Sequence, residues 1–308
     1  MSALSQLSKY LQLPTNLKDI SQAQRLFHGR GHAYKGLHHV TVDWLPPVAL
    51  ITLYAPEPES VIKGLANYLV SLLPGCKSVQ LQHRYELSGP IDVIYGNDIQ
   101  QFSIREGNLQ FNIRLGHSRN TGLFLDMHNG RRWVQEHSKD KRVLNLFAYT
   151  CGFSVAAIAG KAKSVVNIDM SSAALNVGRG NHRINQQSLD QVRFEKLNIF
   201  KSFGRIKKRG PFDLLICDPP TFQKGSVNII QDYPKIMRRL SEFMAPESML
   251  LLCLNAPELG CNFLIEHMAE QAPNYKLVEE IKPPKVYLEA EDKGLKVLFF
   301  KGVQAQIH

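Results

Sequence analysis

The sequence is short of three features that would assign it to a common class of protein. No apolar run reaches the roughly 18 residues of a membrane-spanning helix, and residues 1–5 lack the charged and apolar regions of a signal peptide. The five cysteines are scattered and form no C-x-x-C pair. We therefore expect no membrane span, no disulfide framework and no metal site, and we expect free thiols in a reducing cytoplasm.

What the sequence does contain is typical of a globular protein with an ample core. Of its 308 residues, 44% are hydrophobic and 21% are charged, which fits one large domain or two. The N-terminal part predicts a helix, an extended run, a second helix and a strand, at residues 21–27, 48–54, 61–73 and 78–82. This pattern favours a small α+β domain over residues 1–105, which is a candidate for substrate contact, followed by a larger domain over residues 106–308.

From about residue 140, predicted strands and helices alternate. The strands fall at residues 142–148, 164–169, 192–197, 212–217, 248–254, 276–281 and 295–301, and the helices at 153–159, 171–185, 233–243 and 263–270. Such alternation predicts an α/β fold with a doubly wound, mostly parallel, Rossmann-like sheet of seven strands. The last two strands leave no room for a crossover helix, so we expect an antiparallel pair at that edge.

The apolar strand at 212–217 ends abruptly in Asp218-Pro219-Pro220-Thr221-Phe222. Proline cannot donate a ladder hydrogen bond, so the strand must stop there. An acid and an aromatic ring are thereby placed at the carboxyl end of a strand, where open α/β sheets bind their ligands. The pattern resembles the Asp/Asn-Pro-Pro-aromatic motif of methyltransferases that modify amino or ring nitrogens with S-adenosylmethionine (SAM). The alternative is a strand followed by a simple Pro-Pro turn.

The ends of three other strands suggest an adenosyl ligand. The loop after the strand at 142–148 has a single glycine, Gly152, and no G-x-G-x-x-G, so it does not predict a pyrophosphate site. The next strand ends in Asp169, where a carboxylate meets ribose hydroxyls, and the third ends near Asn198 and Ile199, which suit an adenine. A strand-end acid is also a common helix cap or ion-pair partner. Together the residues fit SAM, an adenosyl ligand that has no pyrophosphate.

Positive charge is concentrated in one segment. The net charge of the chain is +10, and residues 161–210 contain eleven Lys and Arg against three acids. The densest part is the basic run, which we define as Lys201, Arg205, Lys207, Lys208 and Arg209. Basic patches of this kind attract phosphate backbones, so the run predicts RNA binding. A solvated run of surface charge is the alternative.

Four motifs in order resemble the SAM-dependent methyltransferases of bacterial 23S ribosomal RNA. They are residues 120–126 (NTGLFLD, with Arg131-Arg132 after it), 144–150 (LNLFAYT), 166–171 (VNIDMS) and 218–222 (DPPTF). The resemblance covers about residues 110–308 and is nearest to the guanine-N7 half of the bifunctional large-subunit enzyme and to its 5-methylcytosine relatives. It implies that SAM is the cofactor and that Asn145, Phe147, Tyr149 and Met170 join the cofactor-binding residues.

The sequence departs from this family pattern at three positions. Cys151 stands where Gly or Ser is common, and Asn198 stands where Asp is frequent. In the cytosine enzymes a nucleophilic cysteine follows the strand at 248–254, but the matching position here is Asn255, with Cys253 inside the predicted strand. A buried cysteine is usually an inert hydrophobe. The third departure favours transfer to nitrogen over transfer to carbon-5.

These residues predict a SAM-dependent methyltransferase that acts on a nitrogen of an RNA base, with guanine in 23S rRNA as the implied target. Asp218 and the Pro219 carbonyl would hold a base amino group, and Phe222 would stack on a flipped base. The alternative for Phe222 is an aromatic side chain that packs in the core and contacts no base. Other functions that stay open are cytosine-C5 methylation, methylation of a small molecule or protein, and RNA binding without catalysis.

Overall fold

The computed structural model describes residues 3–14, 16–220, 222–223, 227–289 and 293–303. The chain forms two compact units. The first comprises Met1–His128 and Pro284–Glu291, and the second comprises Asn129–Pro283 and Asp292–His308.

The first unit combines a sheet with a crossover helix. Its described strands are β1 (Gln24–His28), β2 (Val40–Leu45), β3 (Val48–Leu53), β4 (Ser78–His83), β5 (Ile91–Gly96), β6 (Gln101–Glu106) and β7 (Leu109–Arg114). Its helices are α1 (Leu17–Ile20) and α2 (Glu59–Leu72), with 3-10 turns at Ala3–Tyr10 and Leu125–Met127. Strands β1 to β5 form one sheet in chain order, and β6 pairs with β7 as a separate hairpin. Only β3 and β4 are parallel within that sheet, because α2 connects them.

Two sequence expectations differ from this unit. The helix expected at residues 21–27 is wrong, because this stretch contains most of strand β1. A bulge between Arg25 and Phe27 lets both Leu26 and Phe27 be buried, and two adjacent buried residues imitate a helical pattern. The boundary expected after residue 105 falls inside the β6–β7 hairpin, which pairs across it, and the compact unit continues to His128.

The second unit carries the alternating strands and helices. Its strands are β8 (Arg142–Leu146), β9 (Ser164–Asp169), β10 (Val192–Lys196), β11 (Phe212–Cys217), β12 (Phe222–Gln223), β13 (Val227–Asn228), β14 (Met244–Leu254), β15 (Tyr275–Glu280) and β16 (Lys296–Gly302). Its helices are α3 (His128–His137, which begins at the last residue of the first unit), α4 (Gly152–Ala159), α5 (Ser172–Ile184), α6 (Phe203–Lys207), α7 (Ile229–Met237), α8 (Leu240–Phe243) and α9 (Cys261–Gln271), with 3-10 turn Ile199–Lys201. The helix expected at 233–243 is thus two helices, and the first begins at Ile229, four residues before the expected start.

In the described residues, seven strands form one sheet in the order β10-β9-β8-β11-β14-β16-β15. The first five are parallel, and β16 runs antiparallel to both of its neighbours, β14 and β15. The Rossmann-like doubly wound sheet and the antiparallel pair at its edge are therefore confirmed. The chain leaves β8 for β9 on one side and later returns to β11 on the other. Ligands of such sheets bind at this reversal, outside the carboxyl ends of the strands.

A buried polar network lies behind β8. The Asn145 amide nitrogen donates to Asn167 (2.9 Å), and the Asn167 amide nitrogen donates to the Ser154 hydroxyl (2.9 Å). The Ser154 Oγ lies 2.9 Å from His182 Nε2, and His182 Nδ1 lies 2.7 Å from Gln187 Oε1. The chain of donors is consistent with a neutral His182 that carries its proton on Nδ1. Burial lowers the pKa of His182 to about 4, although the hydrogen bond with Gln187 acts the other way.

This network makes stability depend on pH. An unfolded histidine has a pKa of about 6.5, so the unfolded chain binds the His182 proton more tightly than the folded one. The contribution of neutral His182 to the free energy of unfolding should be fully present above about pH 6.5 and should decrease as the pH falls towards 4. We expect the free energy of unfolding to decrease by about 2 kcal/mol between pH 7.5 and pH 5 through this group. Urea denaturation at both pH values measures it. His182→Gln should flatten the difference, and an equal loss in that variant would contradict the assignment.

Candidate functional site

Four strand ends converge at one edge of the sheet of the second unit. The pairing register places Leu146 of β8 beside both Ile168 of β9 and Cys217 of β11, and Lys196 of β10 beside Asp169. The residues that follow these strands are consequently neighbours. The predicted residues Phe147, Asp169, Asn198 and Asp218 are thus brought to the same edge.

The loop after β8 has an unusual backbone. Phe147, Tyr149 and Cys151 have φ of 58°, 46° and 61°, a left-handed region that favours glycine. Such residues persist only where their surroundings hold them. Here the Asp169 carboxylate accepts a hydrogen bond from the Tyr149 backbone N–H through Oδ2 (2.8 Å) and from the Ser171 N–H through Oδ1 (2.7 Å). One acid therefore holds the loop and the N-terminus of α5 together, and each of its oxygens has a second lone pair.

Helix α5 packs against the same loop and contacts it at two residues, Thr150 and Cys151. Asn181 donates from Nδ2 to the Thr150 carbonyl oxygen (2.9 Å). Gly178 lets the helix approach so closely that a Cβ there would lie 2.5 Å from the Cys151 sulfur. Cys151 is fully buried, and burial raises the pKa of its thiol. Cys151, one of the three departures from the family pattern, is thus a protonated thiol that packs in the core. Gly152 follows it as the first residue of α4.

The predicted cofactor residues differ in how they are placed. Tyr149 and Gly152 lie in or directly after the loop, Phe147 is half-buried, and Met170 is 46% exposed. Ile199 is buried in the core. Asn198 is half-buried, and its Oδ1 accepts a bond from the Lys201 N–H (3.2 Å), which caps the 3-10 turn.

Asn145 stands apart from the other predicted cofactor residues. Its side chain is 1% exposed and its amide donates into the network behind the sheet. This geometry favours support of the sheet over direct contact with a ligand.

The Asp-Pro-Pro segment follows β11 as expected. Asp218 is half-buried and Pro219 is buried. Phe222 begins β12, which pairs with β13 so that Phe222 faces Asn228 in the register. Thr221 and the side chain of Phe222 lie outside what the structure describes, so the stacking role of Phe222 stays a prediction. Cys253 lies inside β14 with 0% exposure, which matches its expected place in the core.

Tyr233 positions the strand ends beside this segment. Its hydroxyl lies 3.0 Å from the Cys217 carbonyl oxygen and 3.0 Å from the Cys253 carbonyl oxygen. The side chain is 2% exposed, and burial raises the pKa of the phenol, so it is a neutral donor. The carbonyl of Cys217 immediately precedes Asp218. Sequence reasoning missed Tyr233, because a single tyrosine in an apolar helix looks like any core aromatic, and its polar tip was the only signal.

Part of the positive charge of the basic run is neutralised by ion pairs within the protein. Arg205 and Arg209 form ion pairs with Glu195 at 2.9 Å, and the Glu195 side chain is 7% exposed. Lys201, Lys207 and Lys208 are exposed, and for these three the described residues supply no ion pair. Two of the five cations thus fold the run onto β10, and three project outward.

Among the residues that the structure describes, no helix is long and apolar enough to cross a membrane. Their His, Cys, Asp and Glu side chains contain no group of three that could hold a metal ion.

A model of S-adenosylmethionine-dependent methyltransferases matches residues 24–301, and the chain belongs to that family. SAM is accordingly its cofactor, as the strand-end residues predicted, and the prediction of a SAM-dependent methyltransferase is confirmed at the level of the family.

The curated relatives are named for ribosomal RNA. Ribosomal RNA large subunit methyltransferase I of Tolumonas auensis is 34% identical over 225 residues, or 69% of this chain and 56% of that protein. The protein of the same name from Aeromonas salmonicida is 29% identical over 228 residues, or 70% and 57%. The chain therefore spans less than two thirds of the length of these relatives.

Solved structures share the fold. The structure of SMU.776 complexed with SAH matches 92% of this chain and 76% of its own, with a TM-score of 0.82 at 22% identity. The SAM dependent methyltransferase from Agrobacterium tumefaciens matches 91% and 90%, with a TM-score of 0.68 at 17% identity. At such identities the likeness concerns the fold, and it confirms the predicted class.

The contact between Gly178 and Cys151 is testable by a double-mutant cycle. Gly178→Ala places a methyl group against the Cys151 sulfur, and overpacking of this kind costs about 1–3 kcal/mol. We expect a lower free energy of unfolding in urea and weaker SAM binding. Cys151→Gly removes the sulfur and suits the left-handed φ, so the double variant should regain most of the loss. Additive losses in the double variant would show that the two residues are not coupled.

Proposed function

We propose that this protein transfers a methyl group from SAM to a nitrogen of an RNA base, with guanine in 23S rRNA as the target. The observation that carries the proposal is the Asp218-Pro219-Pro220 segment, which leaves β11 beside the loop after β8. The names of the curated relatives support ribosomal RNA as the substrate, and the exposed lysines of the basic run support an RNA partner. Such a substrate is consistent with a cytoplasmic location.

The residues at the strand ends fit SAM in three places. The second lone pairs of the Asp169 carboxylate would accept hydrogen bonds from the ribose hydroxyls. Asn198 would face the adenine, with Phe147 and Met170 beside it, whereas the core burial of Ile199 favours support from behind over direct contact. The left-handed loop with Tyr149 and Gly152 would face the methionine part. SAM supplies an electrophilic methyl group on a sulfonium, so the protein mainly contributes alignment and exclusion of water.

The target base would be aligned by the Asp218 segment. A base within a helix must first leave its stack. The Asp218 carboxylate and the Pro219 carbonyl would accept hydrogen bonds from its amino group, and Phe222 would offer a ring, with stacking worth about 1–3 kcal/mol per base. A guanine N7 carries its own lone pair and needs no general base. Tyr233 would act indirectly, because it fixes the carbonyl that precedes Asp218.

The role of Asp169 can be measured directly. Asp169→Ala should weaken SAM binding at least tenfold in calorimetry, about 1.4 kcal/mol. The exposed acid Asp190, changed to Ala, is the control for charge. Because Asp169 also holds the loop, SAH that lacks the ribose hydroxyls should be compared with SAH. A ribose contact requires that this difference be large in the wild type and small in the variant. Equal differences would remove Asp169 from the ribose.

The choice between nitrogen and carbon-5 depends on Cys253. A cytosine-C5 enzyme needs a thiolate that adds to the ring, and Cys253 is fully buried in β14. Cys253→Ser should therefore keep most of the methyl transfer to 23S rRNA fragments. Asp218→Ala and the milder Asp218→Asn should lose most of it, with normal circular dichroism. A covalent adduct with 5-fluorocytosine RNA that disappears in Cys253→Ser would restore the cytosine function.

A further inference from the structure

A basic groove of about 360 Å³ lies in the second unit, outside the residues assigned above to SAM and the base. It runs between the 3-10 turn with α6 on one side and α7 with the turn after it on the other. Four cations and two aromatic rings line it: Lys201, Lys235, Arg238, Arg239, Phe200 and Phe203. Only Lys201 belongs to the basic run, and the other three cations come from a segment more than thirty residues later.

The positive charge of the groove exceeds that of its acidic partners. Lys235 pairs with Asp232 at 2.7 Å, and Arg239 Nε lies 3.6 Å from a Glu242 oxygen. Arg238 donates to the neutral side chain of Gln271 (3.1 Å). Lys201, as noted, pairs with no acid among the described residues. Four cations against two acids leave a groove that attracts anions.

The rings give the groove a second property. The Arg239 guanidinium lies 4.7 Å from the Phe203 ring centroid, and the Lys235 ammonium lies 6.0 Å from that of Phe200. Phe203 is buried in the core beneath Arg239, whereas Phe200 is half-buried and lines the groove. A cationic groove with an accessible ring is an arrangement with which proteins hold single-stranded nucleic acid, since phosphates meet the cations and a base stacks on the ring. A duplex keeps its bases stacked on one another and would use only the charges.

The groove also begins where the candidate cofactor site ends. Phe200 directly follows Asn198 and Ile199, and its ring centroid lies 6.3 Å from that of Phe147. A strand in the groove would therefore pass beside the edge where SAM and the target base meet.

We propose that this groove binds the phosphates of the single-stranded RNA next to the target base. The proposal rests on the proposed function, because it assigns a further part of the same RNA substrate. It places the main contact at both walls of the groove rather than along the basic run alone.

The experiment compares two charge-matched double variants. Lys201→Gln/Arg238→Gln removes one cation from each wall, and both side chains are exposed. Lys276→Gln/Lys301→Gln removes two exposed cations that face each other on β15 and β16, at the opposite edge of the sheet. Binding of a fluorescent single-stranded 23S rRNA fragment is measured over a range of salt, with SAM binding and urea unfolding as checks on the fold.

The groove variant should flatten the dependence of log K on log salt by about 1.4, since each phosphate contact to a single strand contributes about 0.7. SAM affinity should be unchanged, and the control should keep the wild-type slope. Lys207→Gln/Lys208→Gln tests the basic run in the same assay. Its decrease in salt slope should add to the decrease caused by the groove variant.

The possible failures are distinguishable. If the wild type binds SAM but no RNA, the proposed function is wrong and the groove assignment falls with it. If the wild type binds RNA and the groove variant keeps its slope, the groove is not the contact, while the proposed function stands. If the control loses as much slope as the groove variant, binding reflects overall charge, and the groove assignment is wrong.

Discussion

The Asp169 carboxylate is the interaction on which the rest of the candidate site depends. The loop after β8 contains three non-glycine residues with left-handed φ, each of which costs of order 1–3 kcal/mol unless its surroundings compensate. Asp169 binds the middle of that loop and also the residue that opens α5. The close contact of Gly178 with Cys151 completes the clamp. The Asp169 carboxylate thus joins the strained loop after β8 to helix α5, and each of its two oxygens keeps a second lone pair that can accept a further hydrogen bond.

Much of the seven-stranded sheet of the second unit could be predicted from the sequence, because its strands have strong local patterns, whereas helices α3 and α6 and the short strands β12 and β13 were not predicted. The strand ends were also predictable, since a parallel sheet brings them to one edge. Contacts made by helices were not. The contacts of Tyr233, Gly178 and Asn145 depend on how the helices pack against the sheet, and no local sequence pattern indicates that packing. Strand β1 was misread for a related reason: its bulge is created by the pairing with β2.

Charge shows the same limit. The sequence displays the basic run as five cations in nine residues, yet Glu195 neutralises part of it by binding Arg205 and Arg209. The cations from α7 and the turn after it are dispersed in the sequence and meet Lys201 only in the fold. Linear charge density therefore overstates the basic run and understates the groove. The surface that an RNA would meet is defined by packing more than by composition.

Helix α7 carries features of both sites on its nine residues. The Tyr233 hydroxyl lies 3.0 Å from the carbonyl oxygens of Cys217, which precedes Asp218, and of Cys253, the penultimate residue of β14. Lys235, two residues later, lines the groove. One nine-residue helix thus supplies a side chain to each place. A substitution that displaced α7 would consequently disturb the Asp218 segment and the groove together.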